Sequence, residues 1–217
     1  PEQKKAALEG LELAYAYMQK KFTTEGETVS PLWVKDGKKL SEWSFWNFGD
    51  QAGLGFPFED GEEILIDKRA ASYFYVTFLP NKLGGATFYL TGLRDSDGNM
   101  LNGKDTYKLN VPADVPAKDF WSAIVYNMET KNFNRGVDRV GASTKDLEKM
   151  VKNEDGSVDV YYAPNLDNVP EGFKANWVTT ESATDANDWF FLFRLYRPAT
   201  EDWFKTWMLK DIENISK

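Results

Sequence analysis

Apolar side chains at Leu8, Leu11, Tyr15, Met18 and Phe22 recur every three or four residues between Glu2 and Phe22, a spacing that predicts a helix with one apolar stripe. Gly26 and the Ser30-Pro31 pair predict its end. The stripe is expected to pack on something, either the sheet that follows or a portion upstream. From Val29 to Pro57 no period emerges, and Trp33, Trp43, Phe45, Trp46, Phe48, Phe56 and Phe58 stand apart among polar residues and glycines. That texture predicts irregular structure wrapped over a core, with a shelf of rings for stacking a ligand as the sharper alternative. Glu62 to Leu79 is ambiguous: Tyr73, Phe74, Tyr75 and Val76 favour strand, whereas the acidic start and Lys68, Arg69, Ala70 and Ala71 favour helix.

Beyond Gly84 the pattern changes to short strands between turn signals: Ala86 to Thr91, Thr106 to Val111, Phe120 to Tyr126, Val158 to Tyr162 and Trp189 to Arg197. In the second of these Tyr107, Leu109 and Val111 alternate with Thr106, Lys108 and Asn110, which predicts one wet face. Trp189 to Arg197 is apolar on both faces, as a central strand would be, and Pro198 ends it. Trp203, Phe204, Trp207 and Met208 predict a short amphipathic helix near the C-terminus. The expected fold is mainly β: an antiparallel β-sandwich or jelly roll over residues 81–217, after a helical connector and aromatic-rich wrapping segment over residues 1–80.

Composition narrows the chemistry. The 217 residues include no histidine and no cysteine. Ser-His-Asp relays, Cys-His pairs and histidine-bound zinc are therefore closed, leaving carboxylate pairs, an activated lysine or tyrosine, an oxygen-ligated cation, or binding without chemistry. No cofactor is expected. Aromatic residues make up 15% of the chain, which suits packed sheets or a carbohydrate-like ligand surface. A formal net charge of -8 disfavours nucleic acid and anionic lipid at long range. No apolar run approaches the roughly 18 residues of a membrane span. Pro1 is not a translational start and no signal stretch precedes the first helix, so an excised or processed piece is expected.

The segments DSDGNMLNGKDTYKL (Asp95 to Leu109), VPAKDFWSAIVYN (Val115 to Asn127), NEDGSVDVYYAP (Asn153 to Pro164), ANW (Ala175 to Trp177) and FRLYRP (Phe193 to Pro198) occur in that order. Together they resemble the C-terminal domain of a two-domain bacterial family catalogued as domains of unknown function 1254 and 1214. Lys131 to Met150 departs from the family's usual pattern. The resemblance implies a β-sandwich or jelly roll, a companion domain upstream as the partner of this one, and a periplasmic, cell-envelope or secreted setting. It would also make Glu62 to Leu79 a helical connector. It implies no established reaction.

Asp95, Asp97 and Asn99 around Gly98 imitate the opening of a calcium loop, but Thr106 stands where the template needs a bidentate glutamate, so a tight turn is expected. Glu154-Asp155-Gly156 follows the same logic. Arg194 shares a strand face with Phe190, Leu192 and Tyr196, and such a charge needs a carboxylate, a carbonyl or the anion of a ligand. Asn176 and Trp177 are placed to frame a polar ligand or to cap a loop. Trp121 lies on one face of its strand, with Ser122 and Tyr126 on the other; Ser122 lacks a histidine and a nucleophile elbow. The expected ligand-binding set is Trp121, Tyr126, Asn176, Trp177, Arg194 and Tyr196. The expected function is that of a noncatalytic module of an exported protein, binding a glycan-like or small polar ligand or mediating assembly, including a homo-oligomer. The alternatives are a carboxylate-dependent polysaccharide hydrolase or lyase, drawing on Asp119, Glu129, Asp138, Asp159 or Asp188, and a structural subunit of a larger assembly.

Overall fold

A computed structural model describes residues 2–23, 29–46, 59–60, 62–64, 66, 87–134, 136–181 and 188–216. Two compact units divide the chain, Pro1–Ser30 with Trp46–Leu83, and Pro31–Phe45 with Gly84–Lys217. One helix, α1 (Glu2–Thr23), precedes the strands. In chain order these are β1 (Val29–Pro31), β2 (Val34–Lys35), β3 (Lys38–Lys39), β4 (Ser44–Trp46), β5 (Glu59–Asp60), β6 (Glu63–Ile64), β7 (Thr87–Gly92), β8 (Tyr107–Val111), β9 (Ala117–Asn127), β10 (Gly141–Ser143), β11 (Val158–Ala163), β12 (Trp177–Thr179), β13 (Trp189–Pro198) and β14 (Glu213–Asn214).

In the first unit, α1 is rich in Glu, Lys, Ala, Leu and Gln, residues that lose little freedom on becoming helical. Glu2 in its first turn and Lys20 and Lys21 in its last complement the helix dipole. Within the described residues little covers the stripe: Leu8 and Leu11 are 52% and 67% exposed, and Phe22 at the last turn is buried. Local propensity, helped by pairs such as Lys5–Glu9 at 3.8 Å, accounts for the helix where packing does not. Within Glu62 to Leu79, Glu63–Ile64 forms a strand ladder with Glu59–Asp60 and Ile66 is helical. Most of its remainder lies outside the described residues, as do Phe48, Phe56 and Phe58.

The second unit is a β-sandwich. Its larger sheet includes, in order, β4-β7-β13-β9-β10, and β13 pairs antiparallel with both β7 and β9. That interior place is the physical reason for a strand apolar on both faces. Trp189, Phe191, Phe193 and Leu195 project to one side, toward the second sheet, β12-β11-β8-β14. Ring centroids across this interface lie 5.2 Å apart for Tyr162 and Trp189, 5.6 Å for Tyr107 and Trp189, and 5.4 Å for Tyr162 and Phe191. β8 buries Tyr107, Leu109 and Val111 while its polar alternates stay partly wet.

Trp33, Trp43 and Phe45 are buried, and Trp43 meets Phe191 edge-on at 5.0 Å. Their polar tips tie the segment to the C-terminal tail: Trp33 Nε1 donates to the Phe204 carbonyl at 2.9 Å and Trp43 Nε1 to that of Lys210 at 3.1 Å. These three rings thus close the core and form no shelf. The expected short helix of the tail is a single 3-10 turn, Trp203–Lys205, in which Trp203 is drawn inward against Phe88 at 5.2 Å.

One pairing departs from an all-antiparallel scheme. β12 runs parallel to β11, reached by a connection with 3-10 turns at Leu166–Asn168 and Glu171–Asn176. Among the described residues of this unit the outer strands are short, three residues in β10 and β12 and two in β14. Among the described residues no helix is long and apolar enough to cross a membrane.

Candidate functional site

The alternation that sends Phe191 and Phe193 into the core sends Phe190, Leu192, Arg194 and Tyr196 to the opposite, outer face of β13. The ladders then decide their neighbours. Arg194 lies across from Tyr89 on β7 and Ser122 on β9, Tyr196 from Thr87 and Phe120, Leu192 from Thr91 and Ile124, and Phe190 from Tyr126. Arg197, at φ 52, interrupts the register and ion-pairs with Asp119, which anchors the end of the strand just beyond Tyr196.

Arg194 is half-buried in this wall. Its guanidinium carbon lies 5.3 Å from the Tyr89 ring centre and 5.7 Å from that of Tyr126. Nη2 donates to the Tyr126 hydroxyl, and Nη1 reaches the Tyr196 hydroxyl at 3.4 Å. The expected salt bridge is not what holds it: among the described residues no carboxylate pairs with Arg194, and phenols and ring faces take that place. Arg194 Nε, Ser122 Oγ and Thr91 Oγ1 are buried without a hydrogen-bond partner. Each orphan of this kind costs about 1–3 kcal/mol. Tyr126 stacks on Phe190 at 5.2 Å and Tyr196 on Phe120 at 3.9 Å, and the Lys145 ammonium sits 5.5 Å from the Phe120 ring centre. Burial pushes the Tyr126 phenol above its ordinary pKa while Arg194 pulls it down, so it keeps its proton at neutral pH.

Tyr126, Arg194 and Tyr196 of the expected binding set therefore come together. The other members stand elsewhere. Trp121 points into the core and stacks on Phe193 at 5.5 Å. Asn176 is buried and ties a loop to β11, accepting from Val151 N at 2.7 Å and donating to the carbonyls of Val151 and Asp159 at 2.8 and 2.9 Å. Trp177 donates from Nε1 to the Ala163 carbonyl at 3.0 Å. Asp95 forms a turn: its Oδ1 accepts from the amides of Asp97 and Asn99 at 3.0 and 2.9 Å, and Gly98 takes φ 81. Among the described residues no group of three or more acidic side chains could hold a metal ion. Tyr89 and Thr91 escape a reading of single segments, although the alternation of Thr87, Tyr89 and Thr91 marks the polar side of β7 once its partner strand is known.

Lys131 gives no signal in the sequence. It sits in the turn after β9 at φ 56, donates to the Met128 carbonyl, and burial lowers its pKa to about 7 against a smaller opposing effect of Glu129. Between about 7 and the ordinary lysine value the unfolded chain binds a proton that the folded one does not, so stability is expected to rise with pH across that window. Reductive methylation with carbon-13 and NMR titration checks this directly. One lysine resonance should titrate near neutrality, and uniform titration of all lysines near 10.4 would refute the burial.

The fold and this face define a β-sandwich module that carries a guanidinium set among tyrosines on its outer layer. The chain belongs to the family described as "Protein of unknown function (DUF1214)", whose family model matches residues 86–200. Among solved structures it is similar to the VPA0106 protein from Vibrio parahaemolyticus, at 16% identity and a TM-score of 0.51, covering 69% of this chain and 35% of that one. It is also similar to an uncharacterized protein from Burkholderia cenocepacia, at 20% identity and a TM-score of 0.35, covering 55% of this chain and 29% of the other. The chain thus spans about a third of the length of the solved structures it matches. No curated protein matches it.

Proposed function

We propose that this chain is a noncatalytic β-sandwich module of an exported or envelope-associated protein, binding a glycan-like or other small polar ligand at the outer face of β13. One observation carries the reading: Arg194 stands among Tyr89, Tyr126 and Tyr196 with Nε unpartnered, directly across from the unpartnered hydroxyl of Ser122. A guanidinium taken partly out of water normally gains an internal carboxylate or carbonyl in return. A guest with acceptor oxygens supplies that partner, and the stacked rings of Tyr196 and Phe120 provide a flat apolar surface beside it. Phenols, hydroxyls and a guanidinium hold ligands, whereas glycoside hydrolysis calls for two carboxyl groups roughly 5–9.5 Å apart. The proposal includes a companion domain upstream, of the kind catalogued as domain of unknown function 1254, and assembly through that domain or through copies of the module.

Calorimetric titration of the whole chain against a glycan panel is expected to find a binder whose affinity drops about 10- to 100-fold in Arg194→Ala, as a charged hydrogen bond implies. Tyr196→Phe, which removes only an oxygen from a half-buried ring, should weaken the same ligand more mildly. Binding indifferent to both substitutions would move the site elsewhere. Absence of any glycan binder leaves the assembly role, which mass measurement in solution then decides.

A further inference from the structure

We infer that the ligand presents a carboxylate to Arg194, so that this face selects acidic over neutral guests; the inference rests on the binding role proposed above. A guanidinium has five N–H donors in one plane. On Arg194 one is given to Tyr126, another reaches toward Tyr196 at a distance too long for a good N–H···O bond, and Nε–H has no partner. An edge of the fork is thereby left for a planar acceptor with two oxygens. A carboxylate fits such an edge through two parallel charge-assisted bonds, where a sugar hydroxyl makes one neutral bond.

The surroundings point the same way. Ser122 Oγ, across the ladder from Arg194, is a hydroxyl with a proton to donate and, among the described residues, nothing to receive it. Lys145 adds a second cation beside Phe120, whose ring stacks on Tyr196. The chain as a whole carries a net charge of -8, which repels anions at a distance, but this field is screened beyond about 8 Å at physiological salt. A singly charged carboxylate meets less of that repulsion than a doubly charged phosphate. The carboxylate can belong to a uronic acid unit of a glycan or to a free small acid, since both offer the same two oxygens.

The experiment follows the Arg194 Nε–H resonance by NMR in the whole chain during titration with acetate, galacturonate, tri-galacturonate and fully methyl-esterified tri-galacturonate. The free acids are expected to shift that resonance, with the methyl ester, uncharged and larger by one methyl per unit, at least about tenfold weaker; in Arg194→Lys, titrated with the same guests by calorimetry, the preference for acid should be lost because an ammonium lacks the fork. A response confined to the trimer assigns the glycan source, and a response shared with acetate and galacturonate assigns the free acid. Equal shifts from acid and ester overturn the inference while leaving the binding role intact. A resonance indifferent to every guest overturns both, and Tyr196→Phe provides the second variant should Arg194→Lys fail to fold.

Discussion

Phe193→Ala is expected to lower the unfolding free energy by about 3–5 kcal/mol. Phe193 is fully buried at the middle of β13, stacked on Trp121 and edge-on to Trp43 at 6.2 Å. It therefore contacts β9 and the segment before β4 at once. Truncation removes a ring's worth of apolar surface and leaves a cavity that two indoles, each held by neighbours, cannot collapse to fill. A typical domain holds only about 5–15 kcal/mol in total, so a third or more of the margin would go. Urea unfolding followed by tryptophan fluorescence measures it. A loss under about 1 kcal/mol would mean that the core around Phe193 is loosely closed, contrary to the packing described.

The second large effect is expected at Gly141, where a methyl group meets backbone and not a movable side chain. A Cβ built there lies 2.8 Å from Ile124 Cα and nearer still to the Ala123 carbonyl oxygen, both in β9. β9 is itself locked against β13, so the short strand β10 must give way. Gly141→Ala should cost about 1–3 kcal/mol or more and lift β10 off the sheet. Hydrogen exchange localises the damage: the amide of Val125, which donates to the Val140 carbonyl at 2.9 Å, and that of Trp121, which donates to Thr144 Oγ1 at 3.0 Å, should lose protection, whereas amides in the β13–β7 ladder keep theirs. Uniform loss across both ladders would show that the sheet opens as one piece. Gly92 offers the contrast, since the atoms nearest a Cβ there all belong to the Phe191 ring.

What could be read in advance follows from how local each determinant is. The apolar run of β13 marked it as central, the alternation in β8 marked its wet face, and Asp-Gly pairs marked the turns at Gly98 and Gly156, because each depends on residues within a few positions. The α1 stripe had helical spacing, yet spacing says nothing about whether a surface is available to cover it, and Leu8 and Leu11 remain exposed. The candidate site was half legible. Arg194, Tyr196 and Tyr126 stood out as polar groups within apolar strands, but Tyr89 and Thr91 join them only through a ladder between residues about a hundred positions apart, and no local pattern encodes that register. Trp121 and Trp177 are marked in the sequence by ring chemistry, and ring chemistry does not distinguish a packed indole from an offered one.

The brevity of the outer strands bears on how the protein behaves when crowded. A ladder of two or three residues presents few unpaired amides and carbonyls, too few to template a foreign strand or to seed fibrils by lateral growth. Copies held at high density should accordingly resist knitting into continuous sheets, even though the interior is so rich in the large rings that would feed them.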